Sequence, residues 1–373
     1  MIYSTGILVL ITTVYCIAII SAMVGFVALK RKQKKAVATD KWVKISVIIP
    51  FRNEANNLLM CLESIQKQSF SPHLFEVILV DDHSTDDATE IATNFISRTN
   101  INIRLTALSK NKTSKKEALK NGIQQAVYPI IATTDADCVL PKDWLKTIGT
   151  HFKSNNGMLL GAVAFTRSKG FLAAFQTLDM FAIQGLEFGL LGFNKPVINN
   201  AANLSYGLDA YTKVGGFDTF NTPSGDDVFL LQKFKFQKLP IAGILSDKFI
   251  VETKPETHWA DFFNQRVRWS SKSKHYKDKT LLFFSGLILL QNFAVAFGYF
   301  ALFFNDNYRW VVFGVLLSKW LVDFILLFLV ARFFKRKYAM SYFIPVQLVY
   351  PIYVLVIFTA SILLKFEWKG RKY

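Results

Sequence analysis

An α/β domain with a doubly wound sheet, inserted between one N-terminal and two to three C-terminal transmembrane helices, is the architecture predicted for this 373-residue chain. Three observations predict it. Apolar runs long enough to cross a hydrocarbon core lie near both ends of the chain and stop at clusters of Lys and Arg. Between them, residues 41–279 alternate short β-branched runs with helically spaced apolar residues, the pattern of parallel strands joined by right-handed crossovers. Acidic residues recur where those strands end, the edge at which doubly wound sheets gather ligands.

Residues Gly6 to Leu29 are apolar or small and end in Lys30, Arg31, Lys32, Lys34 and Lys35. Cations that follow the apolar run indicate an uncleaved anchor with the next domain in the cytoplasm, since a signal peptide carries them in front. Residues 1–40 are therefore anchor and basic linker. Ile45 to Ile49, Glu76 to Val80 and Ile130 to Thr134 are expected strands, and Leu58 to Gln66 an expected helix. Phe171 to Phe193, charged only at Asp179 and Glu187, fits either a core helix under the cleft or an in-plane amphipathic helix. Residues 280–373 form the C-terminal membrane part. Leu281 to Phe304 and Trp310 to Phe334 are separated by the cation-poor stretch Asn305 to Arg309 and flanked by Lys272 to Lys279 and Arg332 to Lys337, which predicts a helical hairpin returning to the cytoplasm. Tyr342 to Leu364 either crosses, leaving Lys365, Lys369, Arg371 and Lys372 outside, or is broken by Pro345 and Pro351 into a re-entrant or interfacial element. Lys319 and Asp323, one helical turn apart, are expected to pair inside the bundle.

The charge balance supports the same picture. Forty-four Lys and Arg against 27 Asp and Glu give +17, and the cations crowd beside apolar runs, which fits membrane-lipid attraction rather than nucleic-acid binding. Cys16, Cys61 and Cys138 are too few for a disulfide framework and include no Cys-x-x-Cys spacing, so a reducing compartment suits the soluble part.

Asp135 and Asp137 follow a strand two residues apart and so point to one side, where hard oxygen donors suit Mg²⁺ or Mn²⁺; a solvated turn before Trp144 is the plain alternative. Asp81 and Asp82 end the second strand, with Ser84 and Asp86 suited to capping. Asp226 and Asp227 precede the helical run Val228 to Leu231, where an aspartate is either favoured by the helix dipole or aimed as a general base. Gln265, Arg268 and Trp269 share one helical face; Arg268 offers a fork for diphosphate oxygens, and Trp269 an apolar plate for a sugar or a membrane anchor.

SVIIPFRNE (Ser46 to Glu54), VDDHSTD (Val80 to Asp86), the aspartates 135 and 137, GGF (Gly215 to Phe217) leading to Gly225 to Asp227, and QRVRW (Gln265 to Trp269) together resemble the inverting nucleotide-sugar transferases of glycosyltransferase family 2, across nearly the whole soluble segment. The last motif resembles the membrane-embedded branch, with cellulose, hyaluronan and poly-N-acetylglucosamine synthases and ceramide glucosyltransferases. The resemblance implies a GT-A fold and a UDP-sugar donor. It places the nucleoside against Pro50, Arg52 and Glu54, uracil at Asp81 and above all Asp82, the diphosphate at Lys115, ribose and metal shell at Asp135, and the metal at Asp137. It implies that Asp227 is the catalytic base, with Asp226, Gln265, Arg268 and Trp269 serving the acceptor or diphosphate. Two positions depart from the pattern: Ser114 stands where the family has glycine, and Ala201 begins its Gly-Ala-Asn. The tail Trp368 to Tyr373 resembles one near the cytosolic acceptor entrance and favours the re-entrant form of the preceding segment. The expected activity is β-transfer of a hexose or N-acetylhexosamine to a lipid-linked or glycan acceptor at the cytoplasmic face, in a bacterial inner membrane, without nucleic acid. A processive polysaccharide synthase, or a non-catalytic sugar-nucleotide or glycan-binding subunit, would leave the same motifs.

Overall fold

The computed structural model describes residues 2–34, 42–152, 157–217, 226–301, 309–364, 367–368 and 371–372. Gly225, the loop 305–308 and most of the basic tail lie outside them, and only the backbone of Asp226 is described. In chain order the elements are α1 (Ile2–Lys34), β1 (Ile45–Phe51), α2 (Leu58–Gln66), β2 (Phe75–Asp81), α3 (Ala88–Ile96), β3 (Ile103–Ala107), α4 (Lys115–Gln124), β4 (Ile130–Thr133), α5 (Trp144–His151), β5 (Met158–Gly161), β6 (Val163–Phe165), α6 (Phe171–Gly192), β7 (Leu204–Gly207), α7 (Leu208–Lys213), α8 (Asp226–Phe236), β8 (Ile241–Ile244), β9 (Val251–Thr253), α9 (Trp259–Ser271), α10 (Lys279–Ala301), α11 (Arg309–Phe333) and α12 (Phe343–Leu363).

The seven-stranded sheet has the order β3-β2-β1-β4-β7-β5-β8. β3, β2, β1 and β4 are parallel, as strand–helix–strand alternation requires, but β7 runs antiparallel to both β4 and β5. The sheet is therefore mixed rather than wholly parallel. The reason is where the chain re-enters: the turn Ala201–Asn203 reaches the end of β4, where the Thr133 hydroxyl donates to the Ala201 carbonyl at 2.8 Å, so β7 must run back along it.

β1 is buried along its whole length, and its two faces feed different cores. Val47 and Ile49 pack with α2 and α5, whereas Ile48 packs with Val80 and Ile131 into a cluster that continues through Phe181 of α6 to Val330 of α11 and Phe26 of α1. The sheet thus shares one apolar core with the membrane-length helices. α6 is buried along nearly its whole length, the core helix of the two forms expected for it.

Among the described residues, four helices are long and apolar enough to cross a membrane: residues 6–32, 279–300, 309–333 and 337–363. α12 is unbroken, with Pro351 inside it, so the proline break expected there does not occur. It nevertheless stays against the α/β domain: the Tyr350 hydroxyl donates to Asp179 at 3.0 Å, Tyr353 stacks on Phe262, Ile357 packs on Val267, and Lys274 donates to the Ile362 carbonyl at 3.3 Å. That contact spans about 18 Å of helix. Lys319 and Asp323 pair at 2.6 Å, Tyr15 donates to the other Asp323 oxygen and Gln347 bridges the pair, which ties α1, α11 and α12 together in the bundle interior.

α1 and α6 meet backbone to backbone. A Cβ on Gly189 would sit 2.5 Å from the Ala22 carbonyl oxygen, and one on Gly192 2.0 Å from that of Gly25. Glycines permit this approach because they have no Cβ to hold the two helix backbones apart. Gly189→Ala is expected to cost about 1–3 kcal/mol by overpacking, read as a lowered melting temperature in detergent, whereas Gly286→Ala, where an added Cβ meets nothing within 4 Å, leaves it unchanged.

Candidate active site

A cavity of about 470 Å³ opens beyond the carboxyl ends of β1, β2 and β4 and is closed on the far side by the segment after β9 and by α9. That volume suits a small-molecule ligand. Pro50, Arg52, Glu54, Asp82, Lys115, Asp135, Asp137, Gln265 and Arg268 all line it.

The loops after β1 and β2 are stitched together before they present any side chain. Arg52 donates to the carbonyls of Asp82 at 2.6 Å and His83 at 2.7 Å. Asn53, at φ +50°, accepts from the Thr85 amide at 2.8 Å, and its own amide donates to Ser84 at 3.1 Å. Asn53 therefore links two loops rather than capping α2. Asp82 is buried and borders the cavity, while Asp81 turns into the β2–α3 corner, accepting from the Ser84 amide at 2.9 Å and the Thr89 hydroxyl at 3.4 Å. Adjacent residues at a strand end face opposite ways, so only one of the pair meets the cavity. Asp86 accepts from the Ala55 and Ala88 amides, the capping part its position indicated.

Lys115 opens α4 behind an N-cap, Ser114, whose oxygen accepts from the Glu117 amide. Ser114 has φ +136°, a conformation that glycine adopts without strain, which accounts for the glycine expected at that position. The Lys115 ammonium pairs with Asp135. Asp137 accepts from the Thr253 hydroxyl at 3.1 Å. Its carboxyl is half-buried in the cavity wall, and burial, then the charges of Asp135 and Glu54, push it up to about 6. Among the described residues no three His, Cys, Asp or Glu side chains gather as a ready-made metal cage. With one lysine, Lys115, against two carboxylates, Asp135 and Asp137 keep net negative charge and fit a hard divalent cation that takes its other ligands from phosphate and water.

α9 turns Asp261, Asn264, Gln265 and Arg268 toward the cavity, steps of three and four that lie on one face. Gln265 donates to Glu256 at 2.8 Å, and Glu256 is gripped on both backbone atoms by Gln176 of α6. Trp269 is not among the lining residues; Arg266 lies over its ring, 4.3 Å from the centroid. Asp227 is also off the lining. It accepts from the Ala201 amide at 3.2 Å and faces Lys272 at 3.8 Å, with its charge felt by Tyr276 and by the buried Glu187, whose carboxyl is raised by burial and then by Asp227. Sequence reasoning missed Asn57, Lys254, Glu256, Asp261 and Asn264 as cavity residues. For Asp261 and Asn264 the signal was there, since they share the helical face of Gln265 and Arg268; Lys254 and Glu256 follow a three-residue strand with no pattern of its own.

The family model "Glycosyl transferase family 2" matches residues 46–202, and "Glycosyl transferase family group 2" matches residues 130–364, more than half of the chain. Glycosyltransferase AglE of Haloferax volcanii is 31% identical over 185 residues, 49% of this chain and 58% of that protein. Dodecaprenyl-phosphate galacturonate synthase of Rhizobium johnstonii is 32% identical over 96 residues, 26% of this chain and 28% of that protein. In both, the match spans less than two thirds of the relative's own length. Among solved structures, the mannosyltransferase PcManGT from Pyrobaculum calidifontis, in complex with GDP-Man and Mn²⁺, is similar in fold at a TM-score of 0.58 and 14% identity, over 96% of this chain and 99% of that one. With its mixed α/β sheet and these matches, the chain belongs to the family 2 glycosyl transferases.

Proposed function

We propose that the protein transfers a hexose or N-acetylhexosamine from a UDP-sugar to a lipid-linked acceptor at the cytoplasmic membrane face, with inversion to a β-linkage. The observation that carries this reading is that the acids after β2 and β4 and the polar face of α9 line one cavity, and that the same domain shares its core with membrane-length helices. A relative that by name handles dodecaprenyl-phosphate supports a lipid-linked acceptor.

In this mechanism Asp82 accepts a hydrogen bond from the nucleobase, and Pro50 and Arg52 form the loop against which the nucleoside rests. Lys115, Lys254 and Arg268 supply positive charge to the diphosphate, Arg268 with a two-pronged fork. Asp135 and Asp137 would hold Mg²⁺ or Mn²⁺, which when bound neutralises charge on the departing diphosphate. Asp227 takes the proton of the acceptor hydroxyl as that oxygen bonds to the anomeric carbon; the carbon–oxygen bond to the diphosphate breaks, and its electron pair leaves with UDP. Lys272 faces the Asp227 carboxylate at 3.8 Å and orients it. Chelation is the simplest test: EDTA is expected to abolish UDP release, and Mn²⁺ or Mg²⁺ to restore it, whereas EDTA-insensitive turnover would remove the cation from the mechanism.

A further inference from the structure

Two of the five residues of QRVRW, Gln265 and Trp269, answer to the side chain of a third, Arg266, which does not line the cavity. Arg266 is buried on the opposite side of α9 from Arg268. Its Nε donates to Asp179 of α6 at 2.8 Å, and the other oxygen of Asp179 accepts from Tyr350 of α12. Its Nη1 donates to the side-chain carbonyl of Gln265. Its guanidinium lies between two rings, 4.6 Å from the centroid of Phe262 and 4.3 Å from that of Trp269.

One contact fixes a residue of the cavity wall, Gln265, and another fixes the ring of Trp269, off the lining. Once the Gln265 carbonyl is engaged by Arg266, only its NH₂ remains to face Glu256, so the orientation of this amide in the cavity wall is decided from behind. The Trp269 indole is held at a set tilt because a planar cation prefers its face. α6 anchors the whole arrangement, through Asp179 to Arg266 and, one turn earlier, through Gln176 to the Glu256 backbone. A buried ion pair that served packing alone would need neither contact along α9.

We propose that Arg266 is a positioning residue for sugar transfer: its guanidinium, anchored by Asp179, holds Gln265 in the orientation that the cavity wall requires for the acceptor and fixes the Trp269 ring next to it on α9. This rests on the reading of the cavity as a sugar-transfer site. Lysine at position 266 would keep the charge opposite Asp179 but loses the planar fork and the stack.

The test is a double-mutant cycle on the full-length protein in detergent, with Arg266→Lys, Gln265→Ala and the pair together. UDP release is followed with a UDP-sugar that the wild type turns over and with extracted membrane lipids as acceptor, and UDP binding by calorimetry. Arg266→Lys is expected to keep UDP affinity within about twofold and lower kcat/KM for the acceptor roughly tenfold, as Gln265→Ala does, while the double variant loses no more than the worse single one. Asp179→Asn, which keeps the shape but not the charge, guards against a folding defect at position 266 and is expected to give the same acceptor-side loss. Wild-type turnover by Arg266→Lys, losses that multiply in the double variant, or losses that only follow the amount of folded protein would overturn the proposal. A wild type that turns over no UDP-sugar would instead overturn the functional reading beneath it.

Discussion

Asp137→Asn is expected to lower sugar transfer by roughly a thousandfold, because a Lewis acid at a departing diphosphate is worth several kcal/mol and each 1.4 kcal/mol is a factor of ten. The same change is expected to stabilise the cation-free protein. A carboxyl that ionises near 3.8 when unfolded and near 6 when folded penalises folding increasingly as pH rises between those values, and the full penalty persists above both. Asparagine keeps the acceptor for the Thr253 hydroxyl and carries no charge. In EDTA the variant should therefore melt a few degrees above wild type at pH 7.5 and level with it at pH 4. Turnover near the wild-type rate would show that Asp137 holds no catalytic cation, and a lowered melting temperature at pH 7.5 would show that its charge is compensated within the protein.

Asp227→Asn is expected to bind UDP like the wild type and lose between about a hundredfold and ten-thousandfold in turnover, the usual worth of a positioned base. Asparagine at this first turn of α8 can still accept from the Ala201 amide, so the fold survives, but it cannot take a proton. Retained turnover would refute Asp227 as the base. Because the Asp227 carboxylate stands beside Lys272 and off the cavity lining, an acceptor must approach from the Lys272 side. Lengthening the acceptor should then change KM more than it changes UDP affinity.

The strands that carry the site were legible because local preference and burial agree. β1, β2 and β4 are β-branched runs buried on both faces, and α2 spans the residues its spacing predicted. What failed to show was set by distant parts of the chain. The reversal of β7 depends on α6 returning the chain to the end of β4, which no local pattern records. Pro351 breaks nothing because α12 is held by α9, α10 and the Lys319–Asp323–Gln347 network, and packing of that kind outweighs a lost backbone hydrogen bond. Of the paired aspartates, strand alternation says that one faces the cavity, but the turn that follows decides which. Arg266 sat inside a recognised motif as mere spacing, and only the position of Asp179, 87 residues earlier, gives it a partner.

Incubating the detergent-solubilised protein with labelled UDP-sugars, Mn²⁺ and extracted membrane lipids tests the central claim most directly, with the label partitioned between lipid and aqueous phases. The expected result is one preferred sugar, released UDP in equal amount, and label in a lipid-soluble β-glycoside. Label in long lipid-free chains, or no UDP released from any donor, would contradict transfer to a lipid-linked acceptor at the membrane surface.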